Sequence, residues 1–183
     1  MSRLLYSITL YVLFPFVVLY FAFRAYKSAD YRGRWGERFG FKTLQPSDVV
    51  IHCVSMGETL AAVPMIKKLM AVHPDYHFTV TTTSPTGSAE VIKAFGDSVQ
   101  HCYLPLDFSY AIKRFLRQLQ PKMCIIMETE LWPNLLHFSH KQHVKLVLAN
   151  ARLSAKSAQE YQSKAWLTQS MLRKLDVVAV QTQ

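Results

Sequence analysis

Two short segments combine carboxylates suited to proton transfer with backbone suited to holding them in place. One is Ser55-Met56-Gly57-Glu58, where an apolar run ends, and the other is Glu128-Thr129-Glu130-Leu131-Trp132-Pro133-Asn134, directly after a second apolar run. Carboxylates at the end of an apolar strand are costly unless they have a partner or a task. Brought together, such groups equip a site for general acid–base chemistry. A third segment, Thr81-Thr82-Thr83-Ser84-Pro85-Thr86-Gly87-Ser88, is rich in hydroxyls and leads into a helix start, which suits an anion or a sugar. A fourth, Asn150-Ala151-Arg152-Leu153-Ser154, adds a cation after a further apolar run. Each segment also has a plainer reading. Glu58, Glu128 and Glu130 suit helix N-termini as charges complementing the dipole. Thr86 suits an N-cap, and Arg152 a solvated surface position.

The elements that must position these residues show in the hydrophobic pattern. Strands are predicted over Asp48–Val54, His77–Thr83, Val99–Leu104, Lys122–Met127, Val144–Ala149 and Val177–Val180. Helices are predicted between them over Glu58–Val72, with Pro64 tolerated early in it, and over Thr86–Phe95, Phe108–Gln118, Leu131–Ser139 and Ser157–Lys174. This alternation implies βαβ units and a parallel sheet. Six strands suggest an α/β, doubly wound, Rossmann-like domain over residues 48–183. Ligands of such domains bind beyond the C-terminal ends of the strands, which is where all four segments fall. A parallel sheet has helices on both faces, and the sequence reaches Gln183 directly after the sixth strand, so a further C-terminal domain is expected.

Ahead of this domain, Leu4–Phe23 is twenty residues without a charge, about the length of helix that spans a bilayer. Pro15 predicts a kink in it. The residues that follow make a poor signal-peptidase site, so residues 1–24 read as a retained membrane anchor, with an interfacial helix as the alternative. Residues 25–47 read as a basic, aromatic linker. The first 44 residues hold seven Lys and Arg against Asp30 and Glu37, out of a net charge of +9. Positive charge after the apolar run places residue 24 onward on the cytoplasmic face of the membrane and suggests anionic headgroups as contacts. No zinc-finger spacing or RNA-binding aromatic motif supports a nucleic-acid partner. Cys53, Cys102 and Cys124 lie in apolar, strand-like runs without paired spacing and read as buried free thiols, not as a disulfide framework or metal site. His137, His140 and His143 have no carboxylate at ligand spacing. Ser55 lacks the preceding glycine of a hydrolase nucleophile elbow, since Cys53 stands there.

Taken together, Tyr31-Arg32-Gly33-Arg34-Trp35-Gly36-Glu37-Arg38, Ser55-Met56-Gly57-Glu58-Thr59, Thr82-Thr83-Ser84-Pro85-Thr86-Gly87, Met127 to Asn134 and Asn150 to Ser154 form an ordered set. In that set the chain resembles the N-terminal half of the 3-deoxy-D-manno-octulosonic acid (Kdo) transferases. The resemblance implies an inverting glycosyltransferase of the two-Rossmann (GT-B) type that needs no cofactor or metal. It implies CMP-Kdo as donor, a lipid A precursor (lipid IV-A) as acceptor, and a place in lipopolysaccharide core biosynthesis at the inner membrane. It assigns Glu58 as general base and Glu128 as second catalytic carboxylate. It implies substrate contacts from Ser55, Gly57, Thr83, Ser84, Thr86, Gly87, Glu130, Arg152, Arg34 and Arg38. The donor would be held by a C-terminal domain absent from these 183 residues, so the segment alone is expected to be inactive. The alternatives are a non-catalytic, membrane-bound remnant that binds the precursor, or another membrane-associated GT-B transferase.

Overall fold

A computed structural model describes residues 3–128, 130–151 and 165–180. Six parallel strands form one sheet: β1 (Val49–His52), β2 (Phe78–Thr82), β3 (Gln100–Tyr103), β4 (Met123–Met127), β5 (Lys145–Ala151) and β6 (Val177–Val180). Their order is β3-β2-β1-β4-β5-β6. This is the doubly wound arrangement expected, and the order in which strands are added changes sense between the neighbours β1 and β4. The register sets Val49 beside both Phe78 and Met123, and His52 beside Thr81 and Ile126. The C-terminal ends of β1 and β4 therefore open side by side.

Two apolar layers hold the sheet. On one face, Ile51, Cys53, Val80 and Ile125 pack against Ala62 and Ile66 of α4 (Met56–Val72) and Val91 and Phe95 of α5 (Pro85–Phe95). On the other, Val50, Cys102, Cys124, Ile126 and Leu146 pack against α6 (Ser109–Leu119), α7 (Pro133–Lys141) and Met171 of α8 (Ala165–Leu172). Strands covered on both faces need apolar side chains at odd and even positions alike, which explains the unbroken runs in β1 and β4. Helices begin where chain chemistry permits: Ser55 and Ser84 accept from the amides of Glu58 and Gly87, while Pro85 and Pro133 sit where no amide is needed. All three cysteines are buried and free, and burial pushes each thiol up to about 12.

Two expectations change, and a third lies outside the described residues. The single spanning helix over Leu4–Phe23 is two helices, α1 (Arg3–Val12) and α2 (Phe14–Lys27), bent by 56°. The break lies just before Pro15, whose ring and missing amide disrupt the preceding turn. No single helix among the described residues is long and apolar enough to cross a membrane. Both helices lie against the domain: Phe14 meets Phe39 and Phe108, Tyr11 meets Phe108, and Phe21 meets Trp35. Second, β5 runs on to Ala151 through an irregularity after Leu148, with Asn150 in the left-handed region (φ 55°). Third, α8 is described only from Ala165, so the predicted start of that helix at Ser157 lies outside the described residues, as does Arg152.

Residues 25–47 pack closely on the domain. They include the short helix α3 (Trp35–Arg38), and Glu37 and Arg38 within it are buried. Gly40 has a positive φ of 78°, and a side chain there would run into the backbone of Ala111 at 3.0 Å. This close approach seats the segment against α6.

Candidate active site

Glu58 occupies the third position of α4 and is buried. Its Oε2 accepts from the Val54 amide at 2.8 Å, and its Oε1 accepts from the Ser55 hydroxyl at 2.9 Å. Ser55 Oγ accepts in turn from the Glu58 amide at 3.3 Å. This is a reciprocal capping box, so Glu58 has a structural use as well as a chemical one. These donors favour the carboxylate, yet burial outweighs them, and the nearby Glu128 and Glu130 add like charge. The net effect raises the Glu58 pKa above the ordinary glutamate range. A carboxylate raised in this way binds a proton more readily.

Glu128 directly follows β4 and has a backbone φ of 58°. Its amide donates to the carbonyl of Ala149 on β5 at 2.9 Å. A left-handed conformation at a non-glycine residue is costly and is held by its surroundings. Glu130 Oε2 accepts from Trp132 Nε1 at 3.1 Å. The Trp132 ring meets His52 edge-on, with centroids 5.7 Å apart. His52, fully buried at the end of β1, has its Nδ1 3.0 Å from Thr81 Oγ1, and burial lowers its pKa to about 4. It is therefore a neutral support beneath the carboxylates. His52 reads in the sequence as one apolar-strand residue among others, and only strand pairing with Thr81 reveals its place.

The hydroxyl segment joins the same edge. Thr83 Oγ1 donates to the Val54 carbonyl at 3.0 Å, tying the end of β2 to the start of the Ser55–Glu58 turn. Thr86 Oγ1 lies 3.4 Å from Ser84 Oγ, which caps α5 by accepting from the Gly87 amide. A side chain at Gly87 would meet the Ser55 carbonyl carbon at 3.3 Å and Ser84 Oγ at 3.0 Å. Glycine there lets the N-termini of α4 and α5 converge. Gly57, by contrast, lies inside the first turn of α4, where a side chain would meet only Ser55 Oγ, at 3.9 Å. Its bare surface leaves room beside Glu58.

Arg34 and Arg38 both turn into the protein, although Arg38 Nη2 is buried without a hydrogen-bond partner. Arg34 makes a two-pronged ion pair with Glu37 (3.0 and 2.8 Å) and donates to Ser88 Oγ at 2.6 Å. Ser88 in turn lies 2.7 Å from His101 Nε2. Arg38 is buried over Tyr103, 3.9 Å from its centroid, and donates to the Thr83 carbonyl at 2.8 Å. Both arginines thus brace the Thr83–Ser88 segment from behind. Beside Trp132, a cavity of about 280 Å³ opens between Tyr6, Leu10 and Val17 of the N-terminal helices and the Leu106–Phe108 and Leu131–Pro133 loops. Its walls are mostly apolar.

The sequence model of the 3-deoxy-D-manno-octulosonic acid transferase (Kdo transferase) family matches residues 33–183. The chain belongs to this family. It is 42% identical to the Kdo transferase of Haemophilus influenzae over 99% of its own length and 43% of that protein. It is 34% identical to the Kdo transferase of Bordetella pertussis, over all of its own length and 45% of that protein. It is also 34% identical to a probable mitochondrial Kdo transferase of Arabidopsis thaliana, over 96% of its own length and 40% of that protein. The chain thus spans less than half the length of these curated relatives, and it aligns with their N-terminal part. The carboxylates, the hydroxyl segment and the braced arginines all lie in the matched region.

Proposed function

We propose that this chain forms the acceptor side of an inverting GT-B transferase that moves Kdo from CMP-Kdo to a lipid A precursor, lipid IV-A. The convergence of Glu58, Glu128 and Glu130 at the β1/β4 opening, with the Glu58 pKa raised, is the observation behind this reading. An acceptor hydroxyl would attack the anomeric carbon of Kdo while the bond from that carbon to the CMP phosphate breaks. Glu58 would take the hydroxyl proton, and CMP would leave with the bonding pair. The sugar hydroxyl is a weak nucleophile, so removal of its proton during attack is the contribution the protein must make. Glu128 would keep Glu58 basic, with Ser55, Thr83, Ser84, Thr86 and Glu130 orienting the acceptor sugar and Arg152 completing the site. Arg34 and Arg38 would shape the hydroxyl segment from behind.

The donor nucleotide would be held by a second Rossmann-like domain of the whole protein, and residues 1–183 alone are expected to give no transfer. The acceptor is anchored in a membrane, and the N-terminal helices suit that setting. Leu4, Val12, Phe16, Leu19 and Phe23 are all more than half exposed, with Lys27 and Arg32 exposed at the far end of α2. Such a pair would lie on the cytoplasmic face of the inner membrane, apolar face down, with its cations at anionic headgroups. The apolar cavity beside Trp132 would then receive part of the acceptor's lipid. The test is Kdo transfer to lipid IV-A in vesicles by the full-length protein and its Glu58→Gln variant. Loss of about 10² to 10⁴-fold in kcat is expected; turnover within twofold of the parent would remove Glu58 as the base.

A further inference from the structure

Asn134, the last residue of the Glu128–Asn134 segment, has no role in the chemistry proposed above, yet it is fully buried and hydrogen-bonded through both its side-chain oxygen and its side-chain nitrogen. Its Oδ1 accepts from Ser7 Oγ at 3.1 Å and from Arg3 Nη1 at 3.2 Å, both on α1, and from Ser109 Oγ of α6 at 3.4 Å. Its Nδ2 donates to the Asp107 carbonyl at 2.6 Å. Its backbone amide donates to Asp107 Oδ2 at 2.8 Å, while Asp107 Oδ1 accepts from the Leu135 amide at 2.9 Å. Ser7 is itself buried and lies 3.2 Å from Ser109 Oγ. One side chain therefore joins α1, the first turn of α6, the Asp107 loop and the first turn of α7. Trp132, which is bonded to Glu130 and packed on His52, is two residues upstream.

We propose that Asn134 is a positioning residue that couples the seating of α1 to the placement of the Glu128–Pro133 segment. The catalytic part of this proposal rests on the carboxylate reading given above. A buried polar group left without its partners forces its surroundings to shift, so lifting α1 would loosen the first turn of α7 and the loop before it. Ser7 reaches the first turn of α7 through this node, and the Tyr6 hydroxyl bonded to Asp107 and the Arg3 guanidinium over the Phe138 ring add to the same seam. The helix that faces the membrane is thereby wired to the carboxylates, and α1 stays docked during turnover.

The experiment uses the full-length protein in vesicles with three variants, Ser7→Ala, Ser7→Thr and Asn134→Ala. Amide hydrogen exchange over residues 130–136 is expected to rise about five- to tenfold in Ser7→Ala and more in Asn134→Ala, with β1 to β3 unchanged. Ser7→Thr restores the parent pattern. Kdo transfer by Ser7→Ala loses kcat by about three- to tenfold while KM for lipid IV-A stays within twofold. A Ser7→Cys/Ser109→Cys pair, oxidised to lock α1 in place, keeps transfer within twofold of its reduced form. Unchanged exchange over 130–136 in Ser7→Ala overturns the coupling. So does a locked protein whose transfer falls and returns on reduction, because α1 would then have to leave. If exchange responds as expected while the parent protein transfers no Kdo, the coupling stands and the reaction proposed above fails instead.

Discussion

Glu37 and Glu58 are both buried glutamates near the C-terminal edge of the sheet, but their settings push them in opposite directions. The Glu37 carboxylate receives two bonds from Arg34, one from Lys42 and one from the Tyr103 amide. Burial opposes ionisation there, yet these donors together override it and hold Glu37 below the ordinary glutamate range. Glu58 receives only two donors and faces two other carboxylates, and burial raises it. The comparison separates a carboxylate paired with cations from one that is hydrogen-bonded but has no cation beside it among the described contacts. Pairing with cations makes a group inert; crowding with like charge leaves it ready to accept a proton.

The largest contrast comes from neutralising each glutamate. Glu58→Gln is expected to remove 10² to 10⁴-fold of Kdo transfer yet leave the melting temperature equal or higher. Glutamine can keep the capping box while relieving the charge crowding. Glu37→Gln is expected to do the reverse, costing about 3 kcal/mol in denaturant unfolding because Arg34 and Lys42 lose their shared partner. Its kcat, measured well below the melting transition, stays within a few-fold. If both variants lose activity and stability together, the two glutamates do not differ in kind.

A smaller effect tests the crowding itself. Removing one neighbour, with Glu128→Gln, is expected to shift the acid limb of the kcat/KM profile to lower pH, because Glu58 ionises more easily without a like charge beside it. Transfer falls as well, by about tenfold. An acid limb that does not move would show that Glu128 acts apart from Glu58. The smallest effect concerns His52. Its folded pKa, lowered to about 4, means that the unfolded chain binds a proton more readily. Stability is therefore expected to fall as pH drops from about 6.5 towards 4. Thermal unfolding of His52→Gln, compared with the parent over that window, should show a flatter slope. For Glu37 the sign is the same but the window lies lower. Its contribution is full above the unfolded glutamate pKa and is lost as pH falls through the lower folded value.

Much of this contrast is legible in the residues, but not all. Apolar runs at β1 and β4 announce strands buried on both faces, and the segments after them mark the crevice. Ser55 and Glu58 announce a helix start, and the structure shows that one carboxylate serves as both cap and candidate base. The internal partners of the arginines are hidden from the sequence for a physical reason. Charge counting cannot tell a guanidinium facing solvent from one folded back on Glu37, Ser88 or Thr83, because those partners lie up to 54 residues away. The docking of the N-terminal run is hidden in a similar way. Twenty uncharged residues satisfy the length of a bilayer, but Ser7, Tyr11, Phe14 and Phe21 find partners on the domain, and the chain bends at Pro15 to reach them. Asn134 and His52 are invisible to pattern because their roles come entirely from what the fold brings to them.

The most direct test of the opposed carboxylates is a titration of both by carbon-detected NMR, with glutamate side chains labelled in the protein. The Glu58 carboxyl is expected to titrate above the ordinary glutamate value and to drop in Glu128→Gln, while Glu37 titrates below that value in both proteins. Glu58 titrating at or below Glu37, or failing to respond to Glu128→Gln, would contradict the account.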